Sequence, residues 1–491
     1  MDSKKIIIVG SGVSAWSAAA LLRKQLPVEL VDIEIVDDTH EDAICAESSR
    51  SQLLNFHELI GLGEKNVLLE TTMGFSLGIE FDQWCGADQS CFVAEGVYGA
   101  AYKNIDFQSL YLKNRHLGNE KSFDSYSINA VAAKLHRFGH PVTDSTSIYS
   151  LIKYGLNFSI TEYTQVLRNH ALGLGVKHVK ANCENVKISI ETGFIEAIIL
   201  SNGECKTADL FIDCTGEESV LLGGALGVEN DVHGLERIYN RVITGERALS
   251  SNAKPASILK LENGTCLKII TTEHQEFISY YFSINVMSEL DAKNKLSALG
   301  VTDLQTKKYK HQRKTQFWVK NCLAIGAAAI NIPDVVISPL QLMRNSLVRF
   351  LDFTANFNDE NTVRREYNKL ATVEYERLNE ITELAFYLGR HESNSLGDYF
   401  NKNSLSELAQ HRLGLFANMA RHAVTELDFF TSAEWAAFFM GNGIVPKAYE
   451  MKADSIDQNE IIAFLNKMNV AINEYAMRMP LHSRYIFSKL R

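Results

Sequence analysis

Residues 74–84, "GFSLGIEFDQW", alternate apolar and polar positions. Phe75, Leu77, Ile79 and Phe81 fall to one side of an extended chain, and Ser76, Gly78, Glu80 and Asp82 to the other. This period-2 pattern predicts one strand with a buried face and a polar face. The polar face meets either bulk water or a cavity. Other stretches show different periods. "KKIIIVG" reads as a fully buried strand and the Ala-rich "VSAWSAAALLRK" after it as a helix. "SITEYTQVLRNHALGLG" (159–175) is an amphipathic helix closed by glycines, and "ADLFIDCTG" (208–216) is a strand. "ASILKL", "TCLKIITT" and "FISYYFSI", within 256–284, read as further strands, whereas 92–150 shows no clear period and reads as irregular. After Pro339 the next proline is Pro446. The interval carries helical periodicity in "RNSLVRFLDFTANF", "REYNKLATVEYERLNEITELAFYL" and "SLSELAQHRLGLFANMARHAV". These elements predict an α/β body with a helical region after it.

The first strand and helix enclose a phosphate-binding pattern. In "IIIVGSGVSAWSAAALLRK", Gly10, Gly12 and Ala15 occupy the GxGxx(G/A) positions. Gly10 permits the tight turn, Gly12 lets the backbone approach a pyrophosphate, and Ala15 lets the helix pack closely on the strand. Val13 and Ser14 place backbone N–H groups at the helix N-terminus, where anions are favoured. The second strand, "DIEIVDD", ends near Asp37, which is placed to bind a ribose hydroxyl. The pattern predicts a dinucleotide site. Two later stretches, "ADLFIDCTG" and "NCLAIGAAAINIPDVVISPL" (321–340), read as hydrophobic strands ending in small residues. In FAD monooxygenase-type folds strands of this kind return to the cofactor, and the second would bring Gly326, Ala327 and Ala328 to it with no side chain in the way, a return an NAD dehydrogenase does not need.

Composition narrows the class further. The chain has 491 residues, a formal net charge of −10 and 46% hydrophobic residues, which is ordinary for a globular protein of two or three domain-sized units. The acidic balance argues against a nucleic-acid partner. The basic run "KKYKHQRK" (307–314) reads as a solvated face or a docking patch for an acidic partner. Neither a secretory leader nor a membrane span is expected, which predicts a cytoplasmic protein without a membrane partner. The eight cysteines are scattered without a CxxC pair, so reduced thiols are expected and no metal site.

Taken together, these motifs resemble the flavin-dependent tryptophan halogenase family over most of the chain. The resemblance rests on "GSGVSAWSAA" with Trp16, "AESS" (46–49), "ADLFIDCTG", and the spacing of Tyr154, Phe158, Tyr163, Leu167 and Arg168. It also rests on "FWVKNCLAIG" (317–326), "FYLGRHESNSLGDYF" (386–400) and "WAAFFMGNGIVPKAY" (435–449). It implies a Rossmann-like FAD-binding fold of the flavin monooxygenase type. The expected FAD-binding body is 1–355, with cofactor segments near 4–50, 154–220 and 317–345 and substrate-side segments 51–150 and 221–316 interleaved. The helical region is 356–491. Among cofactor contacts the resemblance implies Glu47, Cys183 through its backbone, and Met343 and Arg344 in addition to the turn residues.

The departures from that family are specific. The family pattern Phe-Lys-x-x-(Ile/Val)-x-Phe-x-x-Trp keeps Phe75, Ile79, Phe81 and Trp84 in register, but its lysine is Ser76. A serine hydroxyl lacks the charge and nucleophilicity of that amine. The Trp-x-Trp-x-Ile-Pro element becomes Thr265, Cys266, Leu267, Lys268, Ile269, Ile270, and the glutamate of the Pro-Leu-Glu-Ser-Thr segment becomes Gln341. The small residues that cradle the halide become Met343 and Arg344, and 327–341 is about five residues longer than the family pattern, counted by alignment. Ser76 and Gln341 are therefore substrate-pocket candidates without the halogenation chemistry, and no catalytic acid or base is assigned.

With reduced flavin and oxygen retained, the expected reaction is hydroxylation of an electron-rich ring. In these losses the chain is most similar to the modifying flavoproteins encoded with bacterial lysine ε-oxidase and glycine oxidase. The resemblance implies that the substrate is a tryptophan in the precursor of such a quinone-cofactor oxidase, matured to cysteine tryptophylquinone. A small aromatic or indole substrate is the alternative. A non-catalytic flavin-binding chaperone and a halogenase are further readings. A separate flavin reductase is one source of electrons and NAD(P)H acting directly is the other. His57, His116, His136 and His140 read as structural histidines or as bases, and Trp435 as helix packing or as a stacking platform.

Overall fold

The computed structural model describes residues 3–37, 45–85, 90–118, 121–231, 238–250, 253–262, 264–308, 311–353, 361–389, 399–400 and 403–489. Part of the "FYLGRHESNSLGDYF" signature (390–398), Tyr309 and Lys310 of the basic run, and 354–357 of the first expected C-terminal helix lie outside them. The chain divides into two compact units. One comprises Met1–Thr72, Phe158–Val242 and Thr306–Tyr375; the other comprises Met73–Asn157, Ile243–Gln305 and Glu376–Arg491. The C-terminal helices beyond Glu376 group with the substrate-side segments.

The first unit is built on a six-stranded sheet. Strand β1 (Lys4–Val9) lies between β2 (Val31–Asp37) and the strand Leu210–Asp213, parallel to both. Cys322–Ala324 and Lys177–Lys180 extend the sheet in parallel on either side, and Trp318–Val319 closes one edge antiparallel. A strand at the centre of a parallel sheet is covered on both faces, which suits the unbroken run Ile6, Ile7, Ile8, Val9, all fully buried. Helix α1 (Val13–Gln25) buries ten of its thirteen residues. Three consecutive alanines, Ala18–Ala20, let neighbours approach it closely. Pro27 follows its end, and the Arg23 guanidinium donates to Val31 O (2.7 Å) and Leu26 O (2.6 Å), tying the helix terminus to β2. The basic run is split: Lys308 is exposed, whereas its last four residues are interior. His311, Gln312, Arg313 and Lys314 are buried, and Arg313 lies 4.7 Å over the Tyr375 ring while pairing with Asp231. Paired charges and ring faces make that burial tolerable.

The second unit is built on a seven-stranded sheet in the order Thr302–Lys308, Arg241–Ala248, Gln275–Phe282, Thr265–Thr271, Ser257–Glu262, Gly78–Asp82, Cys91–Ala94. The single strand expected over 74–84 is broken. Met73–Ser76 stops at Leu77, and Gly78–Asp82 begins a separate strand, pairing in parallel with Ser257–Lys260. Gly78 has φ +151°, and a Cβ there would lie 2.3 Å from Val93 O, so glycine is required at the break. The polar side is not wet either. Ser76 and Glu80 are buried, and Glu80 takes both oxygens to the Lys254 ammonium at 2.7 Å.

The stretch 92–150, expected to be irregular, holds the helices Phe107–His116 and Ile128–Lys134. They begin at Asp106 and Ser127, whose side chains accept from Ser109 N and Ala130 N. Both are too short for periodicity to show, and their caps are the local signal. Farther along, Glu407–Met419 and Ser432–Gly441 are helical. In this unit Arg412 donates to Glu380 and to Asp428 (2.6 Å) and sits 4.5 Å over the Trp435 ring. Trp435 also stacks on Phe439 at 5.3 Å, so it is a packing residue.

Candidate functional site

Three turns converge at the carboxyl edge of the parallel sheet. The first is the β1–α1 turn. Gly10 has φ +135°, and a Cβ there would lie 2.2 Å from Cys214 O, on the turn after Leu210–Asp213. Gly12 is the N-cap of α1. Gly12 offers no side-chain cap and no acid stands in the first turn, which suits an anion at the helix's positive end. The second turn, Gly216–Glu218, follows Leu210–Asp213. The third, Gly326–Ala328, follows Cys322–Ala324 and lies beside the second. At Gly326 a Cβ would fall 2.2 Å from Ser14 Oγ, which puts the third turn against the start of α1. Ala15 is fully buried beneath. Ligands of open α/β sheets bind outside the carboxyl ends of such strands, where bare backbone can approach phosphates. The sequence's Gly10, Gly12, Val13, Ser14, Ala15, Gly326 and Ala327 are brought together here.

Asp213 makes the second turn rigid. It accepts from the Thr215 hydroxyl (2.6 Å) and from Leu221 N (3.0 Å) and Leu222 N (2.8 Å), so the chain turns sharply into a π-helix at Val220–Ala225. Asp37 ends β2, buried, with His178 Nε2 at 3.3 Å and Arg168 at 3.9 Å. Arg168 also lies 5.4 Å over the Trp16 ring. Glu47 lies fully buried in the short strand Ala46–Ser48. Cys183 lies in a different sheet, opening the strand Cys183–Ile188 of an antiparallel three-stranded sheet.

Gln341, Met343 and Arg344 are helical. Pro339–Asp352 begins at Ser338, whose hydroxyl accepts from Leu340 N (3.0 Å), and the helix packs against α1 and the third turn. All three side chains are buried. Gln341 N bonds Ser338 O (3.0 Å) and Arg344 Nε bonds Leu340 O (3.2 Å) within the helix's first turns. Ser76, in the other unit, is buried with its hydroxyl 3.4 Å from Gly78 O.

His57, which the sequence leaves between a structural and a base role, meets a tyrosine. His57 Nε2 and Tyr163 OH are 2.8 Å apart, buried within the first unit. Burial first, then the Arg344 charge, pushes the His57 ring down to about 3, so it is neutral. Burial pushes the Tyr163 phenol up. His57 Nδ1 has no hydrogen-bond partner among the described residues. The other candidates are tied down: His116 to Pro446 O, His136 to Ala253 O and His140 to Tyr485 OH.

The glycine cradle and the uncapped helix end fit a dinucleotide with two phosphates and an extended linker. Comparison with known proteins supports that fit. The pattern of the tryptophan halogenase family matches residues 5–458. Tryptophan 7-halogenase RebH of Lentzea aerocolonigenes is 20% identical over 485 residues, covering 90% of each chain. The 7-chloro-L-tryptophan 6-halogenase KtzR of Kutzneria sp. (strain 744) is 23% identical over 246 residues, 45% of this chain and 46% of that protein, so the match spans about half its length. Among solved structures, BrvH, a flavin-dependent halogenase from Brevundimonas sp. BAL3, superposes with a TM-score of 0.93 at 22% identity, covering 99% of both chains. The family implies FAD as the cofactor, and the three turns are the residues that would hold it. The chain belongs to the tryptophan halogenase family.

Proposed function

We propose that this chain is an FAD-dependent monooxygenase that hydroxylates an indole, the tryptophan side chain of a quinone-cofactor oxidase precursor, during cysteine tryptophylquinone maturation. Reduced FAD, when bound, supplies the electrons that activate dioxygen. One oxygen atom enters the ring and the other leaves as water. The reading rests on one observation: the FAD turns are kept while the two side chains that resemblance assigns to halogenation are Ser76 and Gln341. Neither offers an amine to carry halogen nor a carboxylate to take a proton. Within the first unit, the helix Pro339–Asp352 brings the buried Arg344 charge close to the His57–Tyr163 pair, which stays neutral and orients without moving protons at ordinary pH. Oxygen transfer to an electron-rich ring requires a dry, ordered chamber more than a dedicated base.

The test is co-expression with an oxidase precursor. Intact mass should show oxygen added to a tryptophan-bearing peptide only when this chain and flavin are present, with bromide and chloride absent or present alike. Turnover of free indoles without a protein complex would instead select a small-molecule hydroxylase, the second reading. Halogenated product would overturn both. Maturation without oxygen transfer by this chain would leave a flavin-binding chaperone.

A further inference from the structure

The helix Gln458–Arg478, in the second unit, has two faces of different character. It begins at Asp457, whose carboxylate accepts from Asn459 N (2.8 Å) and Glu460 N (3.3 Å). Its inner face, with Ile461, Leu465, Ile472 and Ala476, is buried, and the helix packs on Phe107–His116 and Ile128–Lys134. At about 100° per residue, Ala463, Lys467, Val470, Glu474 and Met477 fall within an arc of about 80° on the side opposite that inner face. All five are exposed, Val470 and Met477 each by 55%. A single exposed apolar side chain needs no explanation. Here the small or apolar positions alternate with charges in steps of four and three, the spacing of a seam between two helices. Lys467 and Glu474 form no ion pair among the described residues. They stand two turns apart on their own helix, beyond the one-turn spacing at which such pairs meet.

We infer that two copies of this chain associate through this face, their helices antiparallel about a two-fold axis at Val470. The stripe is its own complement in that arrangement. Val470 meets the partner's Val470, Lys467 meets the partner's Glu474, and Met477 meets the partner's Ala463. Two-fold symmetry makes each unlike pair occur twice. A parallel pair in register would set lysine against lysine and glutamate against glutamate, so the charges select the antiparallel form. Methionine over alanine puts a long side chain opposite a short one, which lets the helix axes come close. The seam is short, so the association is expected in the micromolar range. It involves none of the flavin turns and stands independently of the oxygenase reading.

Sedimentation velocity of the FAD-loaded full chain, from about 1 to 100 μM, tests it and should show a monomer–dimer equilibrium. Lys467→Glu turns two attractive pairs into two repulsive ones and should weaken the dimer about tenfold or more. Adding Glu474→Lys to that variant should restore the dimer to within about threefold of the parent, because the exchanged charges complement each other again. These positions are exposed, so flavin content and circular dichroism should stay as in the parent. Val470→Cys places two thiols at the axis and should give a covalent dimer on mild oxidation that the parent does not. Lys467→Cys should not, since its two copies lie about 9 Å apart along the seam. A chain that stays monomeric at about 100 μM would overturn the assignment. So would a dimer indifferent to Lys467→Glu, a double variant no tighter than the single one, or cross-linking at Lys467→Cys as ready as at Val470→Cys.

Discussion

The flavin turns and the Ser76 stretch both depend on a glycine with no room for a Cβ, Gly10 against Cys214 O and Gly78 against Val93 O. They differ in which part of the chain carries the expected role. At the turns it is the backbone, whose N–H groups and bare approach do not depend on neighbouring side chains. At Ser76 it is the side chain, which one substitution can replace while the fold persists. A change at Ser76 can therefore leave the glycine turns as they are.

The largest expected effect breaks the first half of that comparison. Gly10→Ala forces a Cβ into Cys214 O at φ +135° and should cost about 4 kcal/mol or more in stability. FAD per chain should fall at least about tenfold. Gly203→Ala, also at positive φ but in open space, should keep its flavin. Equal flavin content in the two variants would mean that the Gly10 turn does not hold the cofactor.

Acid should weaken both regions together. His57 in the first unit and His482 in the second are each pushed down to about 3, by burial above all. His482 Nε2 accepts from Phe75 N at 3.1 Å, which only the neutral ring can do. The unfolded chain takes up these protons near pH 6.5 and the folded chain does not until about pH 3. Stability is thus fully present above pH 6.5 and is lost as pH falls, by about 1.4 kcal/mol per unit for each ring. His422, pushed by burial to about 4, adds in the same direction. Urea unfolding at pH 7.5 and 5.5 should differ by about 3–4 kcal/mol, and His57→Phe should shrink the difference by about 1.4 kcal/mol. An unchanged difference would place His57 in contact with water or a carboxylate.

Ser76→Lys probes the second half. The buried site should make it destabilising by about 1–3 kcal/mol. No chlorinated or brominated indole should form, because Gln341 and the helical Met343–Arg344 stretch remain. Halogenated product by mass spectrometry would show that one amine is enough. The smallest effect is expected of Gln341→Glu. A carboxylate in the first turn of Pro339–Asp352 gains about 0.3–1 kcal/mol from the helix end, against the desolvation of a buried charge. Its melting temperature should shift by only a few degrees, and it alone should yield no halogenated product.

The sequence disclosed most where a local pattern and its tertiary surroundings agree. Ile6–Val9, the Gly10–Ala15 turn and α1 were legible because a buried parallel strand, a bare turn and a helix start each leave a mark within a few residues. The two-sheet break at Leu77 was not, since alternation continues across it and only Val93 O makes Gly78 necessary. Arg313 reads as a surface charge because Tyr375 and Asp231, which make its burial possible, lie far along the chain. The His57–Tyr163 pair spans 106 positions, beyond any local signal. Family resemblance located Gln341 and Arg344, but not that both lie on the helix Pro339–Asp352.

The pairing of Ile6–Val9 with Leu210–Asp213 also sets a timetable for the chain's birth. The central strand leaves the ribosome with one neighbour, β2, and waits for the other until more than 200 residues have followed. At translation rates of about 5–20 residues per second that is roughly 10–40 seconds, during which a fully apolar edge stands open. Chaperone dependence during synthesis, and aggregation when translation stalls between Asp37 and Leu210, are the expected cost of threading one flavin site from three separated stretches of chain.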